Sequence, residues 1–277
     1  MTRQPIELYV ALLVCVGNAF ADAIPAAGCE PGGRDVLADI RSRGTLRVAH
    51  SNDYRPFTFR NADRSSTGID ADLAQRLAAD LHVSLERVDT SWSTLTADLE
   101  ANRFDIAMSG VSITPERARA GCFTTTYFTT GKTALSRCAL KRTFDTLVEI
   151  DQPNVTVIVN PGGTNERFVR EHLHSARVVV HEDNRTIFAA LASGEGDVMI
   201  TDAVEARLEA QANPALCVSQ PPVLFETVEK AYLIPKDPAW RDWLNRWLAK
   251  MQRSGDIETI TRRYLDAPQP AQAPPNG

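Results

Sequence analysis

The sequence predicts an α/β protein of two similar lobes, each a doubly wound, mostly parallel sheet, with a ligand cleft between them. Three observations predict it. Short apolar runs rich in β-branched residues alternate with segments whose apolar positions recur every three or four residues. That alternation occurs twice along the chain. Polar loops follow several of the strands, at the end where open α/β sheets take ligands. The 277 residues are 43% hydrophobic, enough for one large core or two small ones. A net charge of −5 argues against nucleic acid or an anionic membrane as partner. An anionic ligand would have to be met by local positive groups.

The first lobe opens with a helix at 35–43, ended by Gly44. A strand at 45–50 runs into a polar loop at 51–57. Gly68 opens a helix with Ile69, Leu73, Leu77 and Leu81 on one stripe. A strand at 83–88, a helix at 95–101 and a strand at 104–108 follow, the last continued by the polar loop 109–112. Thr114-Pro115 marks a helix start, with Pro at the first helical position. An extended segment at 132–136 crosses to the second lobe. There a strand at 156–160 meets a Gly-rich turn and a helix from Glu166, then a strand at 177–181 and a helix at 184–193. A strand at 228–235 brings the chain back. Trp240, Trp243, Leu244 and Trp247 share one stripe of the next helix and read as core packing. A last helix reaches Tyr264. The expected division is lobe one at 34–132 and 228–266 and lobe two at 133–227. A Pro-rich tail at 267–277 is expected to be disordered.

Residues 1–23 read as a secretory signal. Arg3 supplies the charge, 8–16 the apolar run, and Ala21 or Ala23 the cleavage point. The apolar run is too short to span a bilayer comfortably. Cys15 leaves with the signal, so Cys29, Cys122, Cys138 and Cys217 remain, and an oxidising compartment favours disulfides. Four cysteines allow three pairings. Cys138 and Cys217 both flank the second lobe and are expected to pair; the pairing of Cys29 and Cys122 stays open. No cysteine or histidine spacing suggests a metal site.

The organising stretch is 197–208. It joins a buried strand to a helix that starts at Asp202, with Glu205 three residues on. Two readings stand. Asp202 and Glu205 can form a capping box. Alternatively, the pair sits at the carboxyl end of a sheet strand, where Asp202 holds a ligand and Glu205 does acid chemistry.

Tyr54-Arg55-Pro56-Phe57, Gly68-Ile69-Asp70-Ala71-Asp72-Leu73, Phe104-Asp105-Ile106 and Thr114-Pro115-Glu116-Arg117 resemble the type 2 periplasmic solute-binding proteins of the amino-acid class. The resemblance implies a two-lobed periplasmic binding fold. It also implies that Ser109, Ser112 and Arg117 grip a carboxylate and Asp202 an amino group. Thr90-Ser91-Trp92, the run from Asn160 to Glu166 and the run from Thr201 to Leu208 are similar to a narrower group, the cyclohexadienyl dehydratases. These periplasmic enzymes convert prephenate to phenylpyruvate and arogenate to phenylalanine, releasing water and carbon dioxide.

That chemistry suits the residues. Prephenate has two carboxylates and a 4-hydroxyl that leaves as the ring becomes aromatic. One acid, several cationic or N–H groups and a dry site are needed, and no cofactor. Glu205 is the expected acid, with Asp53 orienting either it or the 4-hydroxyl and Lys132 meeting a carboxylate. Arg117 can bind a carboxylate bidentately. Gly163, Thr164 and Asn165 offer a helix N-terminus to an anion, with Asn160 beside them. Trp92 can stack on the ring. One difficulty is physical: a helix N-terminus favours a charged Glu205, whereas a general acid must be protonated. The competing function is a non-catalytic amino-acid-binding protein of an ABC transporter, with Glu205 as a cap. A receptor sensor domain is disfavoured, since no apolar span follows Tyr264. Preference between the two substrates is left open, and the sequence allows a homo-oligomer.

Overall fold

The computed structural model describes residues 29–30, 32–219 and 223–266. The expected signal segment and the tail lie outside the described residues. In the first lobe α1 (Val36–Arg43) leads into β1 (Thr45–His50), followed by a small sheet of β2 (Asp53–Tyr54), β3 (Thr58–Arg60) and β4 (Ser66–Thr67). Next come α2 (Ile69–Leu81), β5 (Ser84–Asp89), α3 (Leu95–Glu100), β6 (Ile106–Ala107), α4 (Pro115–Ala120) and β7 (Cys122–Phe123). β8 (Phe128–Arg137) crosses over. The second lobe adds α5 (Leu147–Ile150), β9 (Thr156–Val159), α6 (Thr164–His172), β10 (Arg177–Val180), α7 (Ile187–Ser193), β11 (Val198–Asp202), α8 (Ala203–Ala212), β12 (Leu216–Val218) and β13 (Glu226–Lys230). β14 (Leu233–Ile234), α9 (Pro238–Arg253) and α10 (Asp256–Leu265) return to the first.

The first sheet runs β5-β1-β6-β14-β7 and the second β10-β9-β11-β8-β12, with β13 also on β8. Each has a parallel centre: β1 with β5 and β6, and β9 with β10 and β11. The antiparallel strands are those made by the crossing chain. β8 runs against β11, β12 and β13, and β14 against β6 and β7. The parallel pattern expected for both sheets therefore holds at their centres and reverses where the chain passes between lobes. The expected boundaries at 132/133 and 227/228 fall inside β8 and β13, which pair with each other.

The single strand expected at 228–235 is a correction. β13 ends at Lys230 in the second sheet, and β14 begins at Leu233 in the first. Between them, Ala231 N–H donates to Val111 O, and Tyr232 N–H to the Thr124 hydroxyl. No Gly, Pro or turn residue stands between Val228 and Ile234, so the residue types carry no signal for the break.

The helices follow their local chemistry. Asp35 accepts from Ala38 N–H at the start of α1, and Gly44 closes it in the left-handed region. Ile69, Leu73, Leu77 and Leu81 of α2 are buried against the first sheet. Each such burial is worth about 1.5–3 kcal/mol. Trp240, Leu244 and Trp247 of α9 lie in the same core, as their stripe predicts. Cys138 bonds to Cys217, as expected, and Cys29 to Cys122.

Candidate active site

β11 ends at Asp202, and its direct partner across the antiparallel pair is Lys132 of β8. Both side chains are buried, and Lys132 Nζ lies 2.9 Å from Asp202 Oδ1. Lys230, at the end of β13, approaches from the other side and reaches Oδ2 at 2.6 Å. The Tyr54 hydroxyl donates to the same oxygen. Lys230 Nζ also donates to Ser112 Oγ at 2.9 Å, across an isolated bridge between the two residues. Lys132 Nζ continues to Thr164 Oγ1 at 3.0 Å and Asn165 Oδ1 at 2.5 Å. Burial alone would raise the Asp202 pKa. The two lysines, with hydrogen bonds from Lys230 and Tyr54, outweigh it and hold the group well below the aspartate range. Burial in turn lowers Lys230 to about 8, against the pull of Asp202.

Arg117 completes a cationic wall. Thr114 caps α4 by accepting from Arg117 N–H, with Pro115 in the first turn, which turns the Arg117 side chain inward. Arg117 is buried, donates to Ser112 O at 3.1 Å and lies 5.6 Å from the Trp92 ring centre. Burial lowers its pKa to about 10, which leaves it charged at neutral pH.

Glu205 stands one helical turn from Asp202, on the same wall. The capping box does not form: Asp202 makes no side-chain cap hydrogen bond. Glu205 instead accepts from the Thr201 hydroxyl, to which Asn165 Nδ2 donates at 3.1 Å. Burial pushes the Glu205 carboxyl well above its ordinary range. The negative groups of Glu209, Asp202 and Asp53 push the same way, against the Thr201 hydrogen bond. Desolvation thus works against the helix N-terminus and favours the protonated form of Glu205.

These side chains line a narrow cavity between the lobes, from one side Tyr54, Trp92, Ser112 and Arg117 and from the other Asn160, Gly163, Thr164, Asn165, Asp202 and Glu205. Gly162, at φ 72°, lets the turn before α6 approach the other lobe; a Cβ there would lie 2.6 Å from Ser93 N.

Residues 46–267 match the family of bacterial extracellular solute-binding proteins, family 3. The chain belongs to that family. Among curated relatives, it is 46% identical to cyclohexadienyl dehydratase of Pseudomonas aeruginosa over 230 residues, covering 83% of this chain and 86% of the relative. It is 28% identical to the L-cystine-binding protein of Escherichia coli K12 over 84% of this chain and 86% of that protein. Among solved structures, an ancestral amino acid-binding protein described as a precursor of cyclohexadienyl dehydratase superposes with a TM-score of 0.78 at 34% identity, covering 83% of this chain and all of that one. An ancestral cyclohexadienyl dehydratase gives 0.52 at 45% identity, covering 83% and 96%.

Within this solute-binding fold, most of the expected site residues converge, and three stand apart from the cavity. Ser109 does not reach the cleft. Its hydroxyl accepts from Ser51 N–H at 2.9 Å and bonds the Ser51 and Thr58 hydroxyls, so it braces the 51–58 loop. Gly110, at φ 63°, turns the chain between Ser109 and Ser112; a Cβ there would meet the Phe57 ring at 2.4 Å. Asp53 lies behind Glu205 and accepts from Trp92 Nε1 at 3.2 Å; burial raises its pKa to about 6. Lys132 acts through Asp202, Thr164 and Asn165 rather than on the cavity wall. Sequence reasoning missed Lys230, Tyr54 and Asn184, all of which line the cavity.

Proposed function

We propose that the protein is a periplasmic cyclohexadienyl dehydratase, acting on prephenate and arogenate with Glu205 as general acid. The observation that carries the reading is the division of charge in the cavity: a neutral buried acid faces a wall with a cationic surplus. Arg117, Lys132 and Lys230 set against Asp202 leave two positive charges in excess, and prephenate carries two carboxylates. An amino-acid ammonium would need a free carboxylate, and both Asp202 oxygens are already taken. This disfavours the plain amino-acid-binding reading and, of the two substrates, suits prephenate better than arogenate, whose side chain carries an ammonium. The 46% identity to a curated dehydratase supports the same reading.

In the proposed reaction Arg117 and the N-terminus of α6 hold the carboxylates, and Trp92 covers the ring. The bond from the ring to its carboxylate breaks and its electron pair enters the ring. The carbon–oxygen bond at C4 breaks, and the departing hydroxide takes the Glu205 proton and leaves as water. Phenylpyruvate and carbon dioxide are the other products; arogenate gives phenylalanine. Glu205, left as a carboxylate, recovers a proton from solvent. The test is to mix the purified protein with prephenate at neutral pH and follow phenylpyruvate by absorbance. Formation at the uncatalysed rate would refute the reading.

A further inference from the structure

We propose that Glu209 is a positioning residue for the acid: a second buried carboxylate, set in a packed polar pocket behind Glu205, that keeps the proton on Glu205. The proposal rests on the dehydratase reading and adds to it a residue that does not touch the substrate cavity. Glu205 and Glu209 are one turn apart on α8 and so share a face. Both are 2% exposed. Together with Asp53, Arg55 and Arg185 they line a second, tightly packed pocket. Glu205 lines this pocket and the ligand cavity alike, so it forms part of the partition between them. Glu209 lines only the rear one.

A buried carboxylate is costly, and two on one helix face more so. An apolar residue would pack α8 at lower cost, and such expense clusters at functional sites. The cost has a use here. An ionised Glu209 makes a second negative charge on Glu205 unfavourable, so the proton stays where the departing hydroxide needs it. Burial raises the Glu209 pKa to about 7 and Arg55 offsets this in part, so the ionised form is present at neutral pH and grows above it; the Arg55 guanidinium lies 3.2 Å from the centre of the Phe59 ring. The other charges around the pair are Asp53 from β2, Arg185 ahead of α7, Asp202 from β11 and Lys132 from β8. All of them remain when Glu209 alone is changed.

The test labels glutamate carboxyls with carbon-13, assigns the Glu205 signal by its loss in Glu205→Gln, and titrates it in the full chain without ligand. In Glu209→Gln the Glu205 midpoint is expected to fall by about one pH unit or more. In Glu209→Asp, whose carboxylate is one methylene further away, it should lie between. The alkaline limb of prephenate turnover should move down with it. A Glu205 midpoint that stays put or rises in Glu209→Gln overturns the proposal. If that variant does not fold, a Glu209→Asp midpoint at or above the wild-type value overturns it. A wild-type protein that leaves prephenate untouched would refute the dehydratase reading instead, and the titration would still decide the effect of Glu209 on Glu205.

Discussion

One wall of the cleft holds two carboxylates three residues apart, both buried, in opposite states. Asp202 faces Lys132, Lys230 and Tyr54 and is held ionised. Glu205 accepts from a threonine hydroxyl and backs onto a pocket shared by Asp53, Glu209, Arg55 and Arg185; burial and the neighbouring acids favour its protonated form. Helix position would predict the same charge for both, since both sit in the first turn of α8. Partners decide otherwise: two ammonium groups outweigh burial at one site, and nothing comparable does so at the other. A single strand–helix junction thereby supplies a cationic grip and a proton donor.

Four substitutions bear on this contrast. The largest effect is expected from Glu205→Gln, which should lower kcat for prephenate by roughly 10²–10⁴-fold with little change in KM. Near-normal turnover would make the protonated Glu205 a structural feature only. Asp202→Asn should come next, because it strands two buried lysines. A loss of about 3–5 kcal/mol in urea unfolding at neutral pH is expected. The sign with pH follows from its depressed pKa. The Asp202 contribution is present above the ordinary aspartate range and is lost as the pH falls through it, so the variant should show less acid destabilisation than the wild type. Arg117→Ala should weaken phenylpyruvate binding, measured by calorimetry, by about 1.5–3 kcal/mol. Ser109→Ala should leave that affinity unchanged while costing about 1 kcal/mol of stability, since its hydroxyl braces a loop. A matching loss of affinity in Ser109→Ala would return Ser109 to the cationic wall.

Much of this was legible from residues alone. Apolar runs marked the central strands, and the Thr114-Pro115 signal placed Arg117 on its short helix. The capping-box and acid readings of Asp202 and Glu205 could not be separated, because burial and long-range partners decide between them. Lys230 was hidden by its neighbours, since Glu226, Glu229 and Lys230 make the segment look like a solvated strand. Its signal was the strand alternation that sets Val228 and Lys230 on one buried face. Ser109 misled because a polar loop beside a site need not aim every hydroxyl at it, and the turn at Gly110 was not readable from residue types. The small sheet of β2, β3 and β4 is built of strands too short for any period to show.

The opposed charge states of Asp202 and Glu205 can be tested without turnover. Infrared spectra of the wild-type protein and of Glu205→Gln at neutral pH are compared in the carboxyl region. The wild type should show a protonated carboxyl band that disappears in the variant, with the ionised carboxylate bands unchanged. A difference spectrum that instead loses an ionised carboxylate band would mean that Glu205 is charged, and the proton donor would have to be sought elsewhere.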